Sequence, residues 1–128
     1  LHWCGKGRVA VCHGDWDDPY MLVLDTHLLM SRRHDAVRLF NAGSLSYFHT
    51  ASPDGKRWLV QLLNYSRHGA AHQVSLQTWR KVKSASFHSP ELSQTQPLAL
   101  QREPGQQEVY LPPFKVYGAV ELELTPHA

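Results

Sequence analysis

The sequence predicts a mainly β protein: an antiparallel, immunoglobulin-like β-sandwich preceded by one strand and one α-helix. Three observations predict this fold class. From residue 36 onward, short apolar segments recur between turn residues at a spacing of roughly 8–12 residues, which is typical of sandwich strands. The segment 115–125 alternates apolar and polar residues, as a half-buried strand does. Helical spacing of apolar residues is clearest in one stretch, near 19–33.

The first region of the chain is predicted to be a strand followed by a helix. Residues 5–13 (GKGRVAVCH) contain an apolar run that begins after two glycines, which favours a strand buried on both faces. Asp18 is a suitable N-cap for a helix at about residues 19–33, because Pro19 fits its first position. The basic residues at 32–34 would then complement the helix dipole.

The second region, residues 36–128, is predicted to be the β-sandwich domain, and residues 1–35 to be a connecting segment at the end of an upstream domain. Pro53, Asp54 and Gly55 have turn chemistry, because proline presets φ and glycine accepts a positive φ. The strand that follows, KRWLVQLLNYS, is apolar on both faces and is therefore predicted to be central. Further strands are predicted at 36–40, 44–50, 72–80, 84–88, 98–103, 107–111 and 115–125.

The composition excludes several classes of function. The 128 residues carry 13 basic and 11 acidic side chains and a net charge of +2, which is too balanced for binding nucleic acid or an anionic membrane. No apolar run approaches the ~20 residues of a membrane helix. Cys4 and Cys12 do not make a disulfide framework, so free thiols and a cytoplasmic location are favoured over secretion. Because the chain begins with Leu1, we expect a segment of a longer protein.

The candidate chemical sites have simpler structural explanations. His68 and His72 have the spacing of a helical zinc pair, but Gly69 and the strand after it disfavour a helix, so no metal or other cofactor is predicted. The tripeptide 64–66 (NYS) matches the glycosylation pattern, which is common by chance. The acidic residues around Trp16 are better explained by helix capping than by calcium binding. No nucleophile is paired with a base, so the chain is predicted not to be an enzyme.

Several segments together resemble a known family. GKGRVAV resembles the late strand of class I amidotransferase-like domains. SPDGKRWLVQLLNYS, VSLQTW and VYLPPFKVYGAVELE are similar to the small C-terminal β domain of bacterial, beta-galactosidase-like glycoside hydrolases, where it follows an amidotransferase-like domain. The resemblance implies a non-catalytic role, because the catalytic carboxylates of that family lie in an upstream barrel and nothing in this chain matches them.

The leading functional hypothesis is a non-catalytic accessory domain of a larger bacterial, carbohydrate-active protein. It would pack against upstream domains of the same polypeptide, or against a second copy in a homo-oligomer. The aromatic residues expected to fill its core or this interface are Trp58, Tyr65, Trp79, Phe114 and Tyr117. The alternative is a carbohydrate-binding module, in which exposed aromatic rings stack on sugar rings. Its candidate contact residues are Trp16, Tyr47, Trp79 and Tyr110. A self-contained enzyme is the least favoured interpretation.

Overall fold

The computed structural model describes residues 2–14, 18–31 and 35–125. By its internal contacts the chain divides into two compact units, Leu1–Asp35 and Ala36–Ala128. Strands dominate the described residues, all of them paired in antiparallel sheets, and the predicted mainly β sandwich is confirmed. No helix within these ranges is long and apolar enough to cross a membrane.

The first unit contains a short hairpin and a helix. Strands β1 (His2–Cys4) and β2 (Gly7–Val9) pair through a turn in which Gly5 has a φ of +60°. The predicted doubly buried strand at 5–13 is therefore wrong. A strand of that kind needs neighbours on both edges and both faces. Among the described strands, β2 has β1 as its sole partner.

Helix α1 (Pro19–Ser31) begins where the sequence predicts. A carboxylate oxygen of Asp18 accepts hydrogen bonds from the backbone N–H of Tyr20 at 2.9 Å and of Met21 at 3.4 Å, which confirms the N-cap. The basic residues 32–34, expected to close the helix, lie outside the described residues.

The second unit contains nine strands in its described part, all antiparallel. In chain order they are β3 (Arg38–Phe40), β4 (Leu45–Ala51), β5 (Arg57–Asn64), β6 (Ser75–Thr78), β7 (Val82–His88), β8 (Gln96–Leu98), β9 (Gln101–Glu103), β10 (Gln106–Tyr110) and β11 (Tyr117–Leu124). Four form a sheet in the order β3-β6-β10-β9, and five form a second sheet in the order β4-β5-β11-β7-β8. The strand predicted at 98–103 is split in two, because the chain leaves one sheet and joins the other at residues 99–100.

Strand β5 is central, as its two apolar faces predict, because it pairs with β4 on one side and β11 on the other. Val60 and Leu62 point into the core and are fully buried, whereas Leu59 and Leu63 on the outer face are half-buried. The preceding turn forms as predicted: Gly55 has a φ of +68° and donates a backbone hydrogen bond to Ser52.

The core lies between the inner faces of the two sheets. Its largest fully buried side chains are Phe87, Phe114, Leu62, Leu76 and Leu122. Phe87 and Phe114 lie 5.7 Å apart between ring centres. A Cβ atom at Gly118 would come within 2.6 Å of the Phe87 ring, so glycine is required at this position. Burial of Trp58 and Phe114 confirms their predicted core role, whereas Tyr65 is 67% exposed.

Asn64, at the end of β5, ties three segments together. Its amide nitrogen donates to the carbonyl oxygens of Gly69 at 3.1 Å and Lys115 at 2.9 Å. Its amide oxygen accepts from the Ser44 hydroxyl at 3.0 Å and from the Ser66 N–H at 2.9 Å. The side chain is buried and its hydrogen-bonding capacity is used, which argues against glycosylation at the NYS tripeptide.

Candidate functional surfaces

The four residues predicted to contact carbohydrate do not form one site. Trp16 lies outside the described residues. Tyr47 lies on β4 at the edge of the five-stranded sheet, opposite Leu62, and is 46% exposed. Trp79 directly follows β6, and Tyr110 ends β10; these two strands are neighbours in the four-stranded sheet. The structure therefore brings two of the four, Trp79 and Tyr110, to one sheet.

Trp79 and Tyr110 share the outer face of the four-stranded sheet. Tyr110 pairs with Ser75, and Trp79 continues the alternation Ser75, Gln77, Trp79 on the side away from the core. The same register adds further side chains to this surface. We call it the aromatic–polar face; its members are Arg38, Phe40, Gln77, Trp79, Glu108 and Tyr110.

The aromatic–polar face has a polar centre and aromatic ends. Phe40 and Tyr110 flank Ser75, which places them two strand spacings, about 10 Å, apart. Trp79 lies at the other end of the face, one residue beyond the end of β6. Between these ends, Arg38, Gln77 and Glu108 form a cross-strand row of planar polar groups, and Gln101 on β9 continues this row beyond the face. The Arg38 guanidinium lies over the Trp79 ring at 5.9 Å, a distance that permits a cation–π contact.

The outer face of the five-stranded sheet has apolar side chains near its centre, whereas the aromatic–polar face has polar ones there. By register its apolar side chains are Phe48, Leu59, Leu63, Tyr65 and Tyr117, which we call the apolar face. Phe48 and Tyr65 are each 67% exposed, and the other three are half-buried. Polar side chains on the same face include Ser46, Thr50, Gln61 and Glu121. Of these, Gln61 accepts a hydrogen bond from the Tyr117 hydroxyl at 3.0 Å. Its amide oxygen therefore needs no further partner.

A cluster around His88 lies beside the apolar face. The Nε2 atom of His88 is 3.2 Å from the Ser86 hydroxyl and 3.4 Å from a carboxylate oxygen of Glu121. Its Nδ1 atom is 3.1 Å from the Thr95 hydroxyl. The Thr95 hydroxyl and the Glu121 carboxylate therefore lie at opposite nitrogens of the imidazole. A hydrolytic triad also has a hydroxyl at one imidazole nitrogen and a carboxylate at the other. Here the imidazole is 40% exposed on an open sheet surface, so the cluster lacks the water-excluded setting in which such groups react efficiently.

Two histidines elsewhere illustrate other environments. His49 on β4 packs edge-on against Trp58, with 4.5 Å between ring centres, and burial lowers the pKa of its imidazole below the ordinary value. His72, considered above as a zinc ligand, is exposed in a segment without helix. Within the described ranges, no three His, Cys, Asp or Glu side chains are grouped to hold a metal ion.

Sequence reasoning missed Arg38, Phe40 and the His88 cluster. Phe40 and Tyr110 are 70 positions apart in the chain, and they come to the same face because their strands, β3 and β10, pair with β6 on its two sides. Ser86 and Glu121 likewise meet through the pairing of β7 with β11. The alternation within each strand gave the direction of each side chain. Strand order, which decides the neighbours, is a long-range property.

Comparison with known proteins gives a similarity of fold. No protein-family model matches the chain, and no curated protein sequence matches it. Among solved structures, the α-L-fucosidase isoenzyme 2 from Paenibacillus thiaminolyticus matches with a TM-score of 0.61 at 13% sequence identity. The match covers 83% of this chain and 18% of that enzyme. The chain is thus similar in fold to a small part of that fucosidase.

Proposed function

We propose that this chain is a non-catalytic accessory domain of a larger bacterial glycoside-hydrolase-like protein, in which it packs against other domains of the same polypeptide. The fold similarity supports this proposal, because most of the chain corresponds to under a fifth of a much larger enzyme. The exposed thiols of Cys4 and Cys12 favour a reducing, cytoplasmic location for that protein.

The apolar face is the observation that carries the packing role. Interfaces concentrate aromatic and aliphatic side chains at the centre and charged residues at the rim. Phe48 and Tyr65 are each 67% exposed and supply aromatic surface to this face. Charged side chains follow along the same sheet, where Arg57 lies 4.0 Å from Glu121 and Lys83 lies 2.9 Å from Glu123. Burying the apolar face against a neighbouring domain would remove this area from water.

The reading frame upstream of residue 1 provides the first test. The proposal expects a catalytic domain with paired carboxylates in the same polypeptide, and a start codon immediately before Leu1 would contradict it. In the complete protein, Phe48→Ser should release this domain from its neighbour, which limited proteolysis would detect. Tyr110→Ser, on the other sheet, is the matched control and should leave the digestion pattern unchanged.

The non-catalytic part of the proposal has its own test. The isolated chain should not hydrolyse aryl glycosides or aryl esters above the rate of a buffer control. The decisive variant is His88→Ala, because it removes the imidazole shared by Ser86, Thr95 and Glu121. Hydrolysis that is present in the unmodified chain and lost in this variant would show that the cluster is an active site.

A second candidate function, carbohydrate binding, is favoured by the aromatic–polar face. Its polar row lies between aromatic ends, whereas a protein interface places apolar groups at the centre. Hydroxyl-rich ligands require planar donors and acceptors such as Gln77 and Glu108, together with rings such as Trp79 for stacking. Binding to a panel of polysaccharides should disappear in Trp79→Ala and persist in Tyr65→Ala, which alters an exposed aromatic ring on the other sheet. If the chain showed no binding signal with any polysaccharide of the panel, carbohydrate binding would be ruled out as its function.

A further inference from the structure

A cavity of about 360 Å³ opens at one end of the sandwich, where β11 ends. It is separate from both outer faces described above. Three of its lining residues are cationic and one is anionic, an excess of positive charge in a chain that is nearly neutral overall. The lining includes Lys56, Arg80, Lys81, Asp54, Trp58 and Leu124.

The end of β11 holds the two lysine-bearing loops in place. The N–H of Leu124 donates to the carbonyl of Lys56 at 2.7 Å, and the N–H of Thr125 donates to the carbonyl of Lys81 at 2.8 Å. Successive residues of one strand therefore bind the two loops from opposite sides. As a result, Lys56 and Lys81 are brought to a common opening although they are 25 positions apart in the chain.

The loop that carries Lys56 is ordered by its own hydrogen bonds. The N–H of Lys56 donates to a carboxylate oxygen of Asp54 at 3.1 Å, and the N–H of Arg57 donates to the Ser52 hydroxyl at 3.0 Å. A positive φ at Gly55 closes the turn. Little backbone entropy is therefore left to lose when a ligand contacts this loop.

The opposite loop is held at both ends by side chains of the four-stranded sheet. The N–H of Arg80 donates to the Thr78 hydroxyl at 3.2 Å, and the N–H of Val82 donates to the amide oxygen of Gln107 at 2.7 Å. Thr78 is itself anchored, since its hydroxyl donates to the carbonyl of Ala36 at 2.8 Å. Both loops of the cavity are thus positioned before any ligand arrives.

The floor of the cavity is Trp58, which is 7% exposed. The Arg80 guanidinium lies over its ring at 5.6 Å, so this cation contributes positive potential from a defined position. Asp54 opposes that potential. The hydrogen bond from Ser52 is the main cause that lowers the pKa of Asp54, and the backbone hydrogen bond from Lys56 is the next, so the carboxylate stays charged at neutral pH.

We propose that this cavity, the basic cavity, binds a small ligand through one oxyanion group, a carboxylate, sulfate or phosphate. Lys56 and Lys81, on the two loops that line the opening, provide ammonium donors, and Arg80 adds positive potential near the indole floor. Charge-assisted hydrogen bonds to an oxyanion are stronger than neutral ones, and they weaken with added salt. Asp54 competes with the ligand, because its carboxylate already lies close to Lys56. This site is independent of the packing and carbohydrate proposals.

An NMR titration of the folded chain with sulfate, glucuronate and glucose tests this proposal. Sulfate and glucuronate should shift the amide signals of Lys56, Lys81 and Thr125 and the indole N–H of Trp58, whereas glucose should not. A tighter constant for glucuronate than for sulfate would identify an organic acid as the better source of the oxyanion. The absence of shifts with both anions up to about 10 mM, the limit of weak specific binding, would overturn the proposal.

Three variants sharpen the assignment. Replacing both lysines, Lys56→Gln with Lys81→Gln, should weaken binding by about tenfold or more, because two charge-assisted contacts are lost. Asp54→Asn should tighten binding, since the amide oxygen keeps the turn hydrogen bonds while the competing charge is removed. Lys115→Gln removes one exposed positive charge away from the cavity and should leave the affinity unchanged. If Lys115→Gln weakened binding as much as the double lysine variant, or if Asp54→Asn bound more weakly than the unmodified chain, the basic cavity would not be the site.

Discussion

The outer faces of the two sheets are built by the same alternation of residues but differ in where their aromatic side chains lie. On the five-stranded sheet, Phe48 and Tyr65 lie among half-buried aliphatic side chains, and charges follow further along the sheet. On the four-stranded sheet, Trp79 and Tyr110 lie on either side of a polar row that crosses the strands. The first arrangement suits burial against another protein surface, and the second suits a hydroxyl-rich ligand. The residue types at the outward positions make this difference, and strand order decides which of them are neighbours.

The largest effect on stability is expected in the core between the two sheets, where Gly118 contacts the Phe87 ring. Gly118→Ala places a methyl group within 2.6 Å of the Phe87 ring, and overpacking of this kind costs about 1–3 kcal/mol in the free energy of unfolding. Urea denaturation measures it. Gly43→Ala is the matched control, because open space surrounds Gly43 and the substitution should be nearly neutral. An unchanged stability in Gly118→Ala would contradict the packing described between the sheets.

The next effect concerns the end of β5, which leads into the apolar face. Asn64→Ala removes four hydrogen bonds made by a buried side chain, including those to the carbonyl oxygens of Gly69 and Lys115, so we expect a loss of about 2 kcal/mol in unfolding free energy. Ser44→Ala removes one of the four and should cost clearly less. Equal losses in the two variants, measured by urea denaturation, would show that Asn64 does not organise this junction.

A smaller effect on stability is expected at His49, on the inner side of β4. The Nε2 atom of His49 is buried and has no hydrogen-bond partner among the described residues, so His49→Phe should stabilise the protein by about 1 kcal/mol at pH 8. The folded-state pKa of His49 lies below its ordinary value of 6.5, so the unfolded chain binds more protons as the pH falls through that value.

Unmodified protein should therefore lose stability as the pH falls through about 6.5, and the loss should level off below the folded-state pKa. His49→Phe should lack this part of the pH dependence. Thermal or urea unfolding of both proteins between pH 8 and pH 5 measures the difference. Parallel pH profiles for the two proteins would show that His49 is not protected from protonation by folding.

The smallest effects on stability are expected on the two outer faces themselves. Phe48→Ser and Tyr110→Ser alter exposed side chains and should each change the unfolding free energy of the isolated chain by at most about 0.5 kcal/mol. Their functional effects should differ: Tyr110→Ser should weaken polysaccharide binding, and Phe48→Ser should not. A loss of binding in both variants would mean that the two faces do not have separate roles.

Much of the fold follows from local chemistry. The Asp18 cap, the turn at Gly55 and the two apolar faces of β5 are each determined by residues close together in the chain, and all three are confirmed. The strand predicted at 5–13 failed, because an apolar run cannot show whether other strands will cover it. The prediction of one continuous strand at 98–103 failed for a related reason, because the point at which a chain changes sheets depends on partners that are distant in the sequence.

The candidate surfaces were less predictable than the elements that carry them. The alternation in 72–80 puts Trp79 on the side away from Val74 and Leu76, which are both buried. It cannot show that Tyr110 lies on the same face, because that requires the pairing of β10 with β6. The basic cavity depends on three separate segments meeting at the end of β11, and no sequence pattern joins them.

Hydroxyl-radical footprinting tests the central claim most directly, because it reports the solvent exposure of individual aromatic side chains. The isolated chain should be compared with the complete polypeptide that contains it. We predict that Phe48 and Tyr65 become protected in the complete protein while Trp79 and Tyr110 remain reactive. Protection of Trp79 and Tyr110 with Phe48 and Tyr65 unchanged would contradict the assignment of the apolar face as the packing surface.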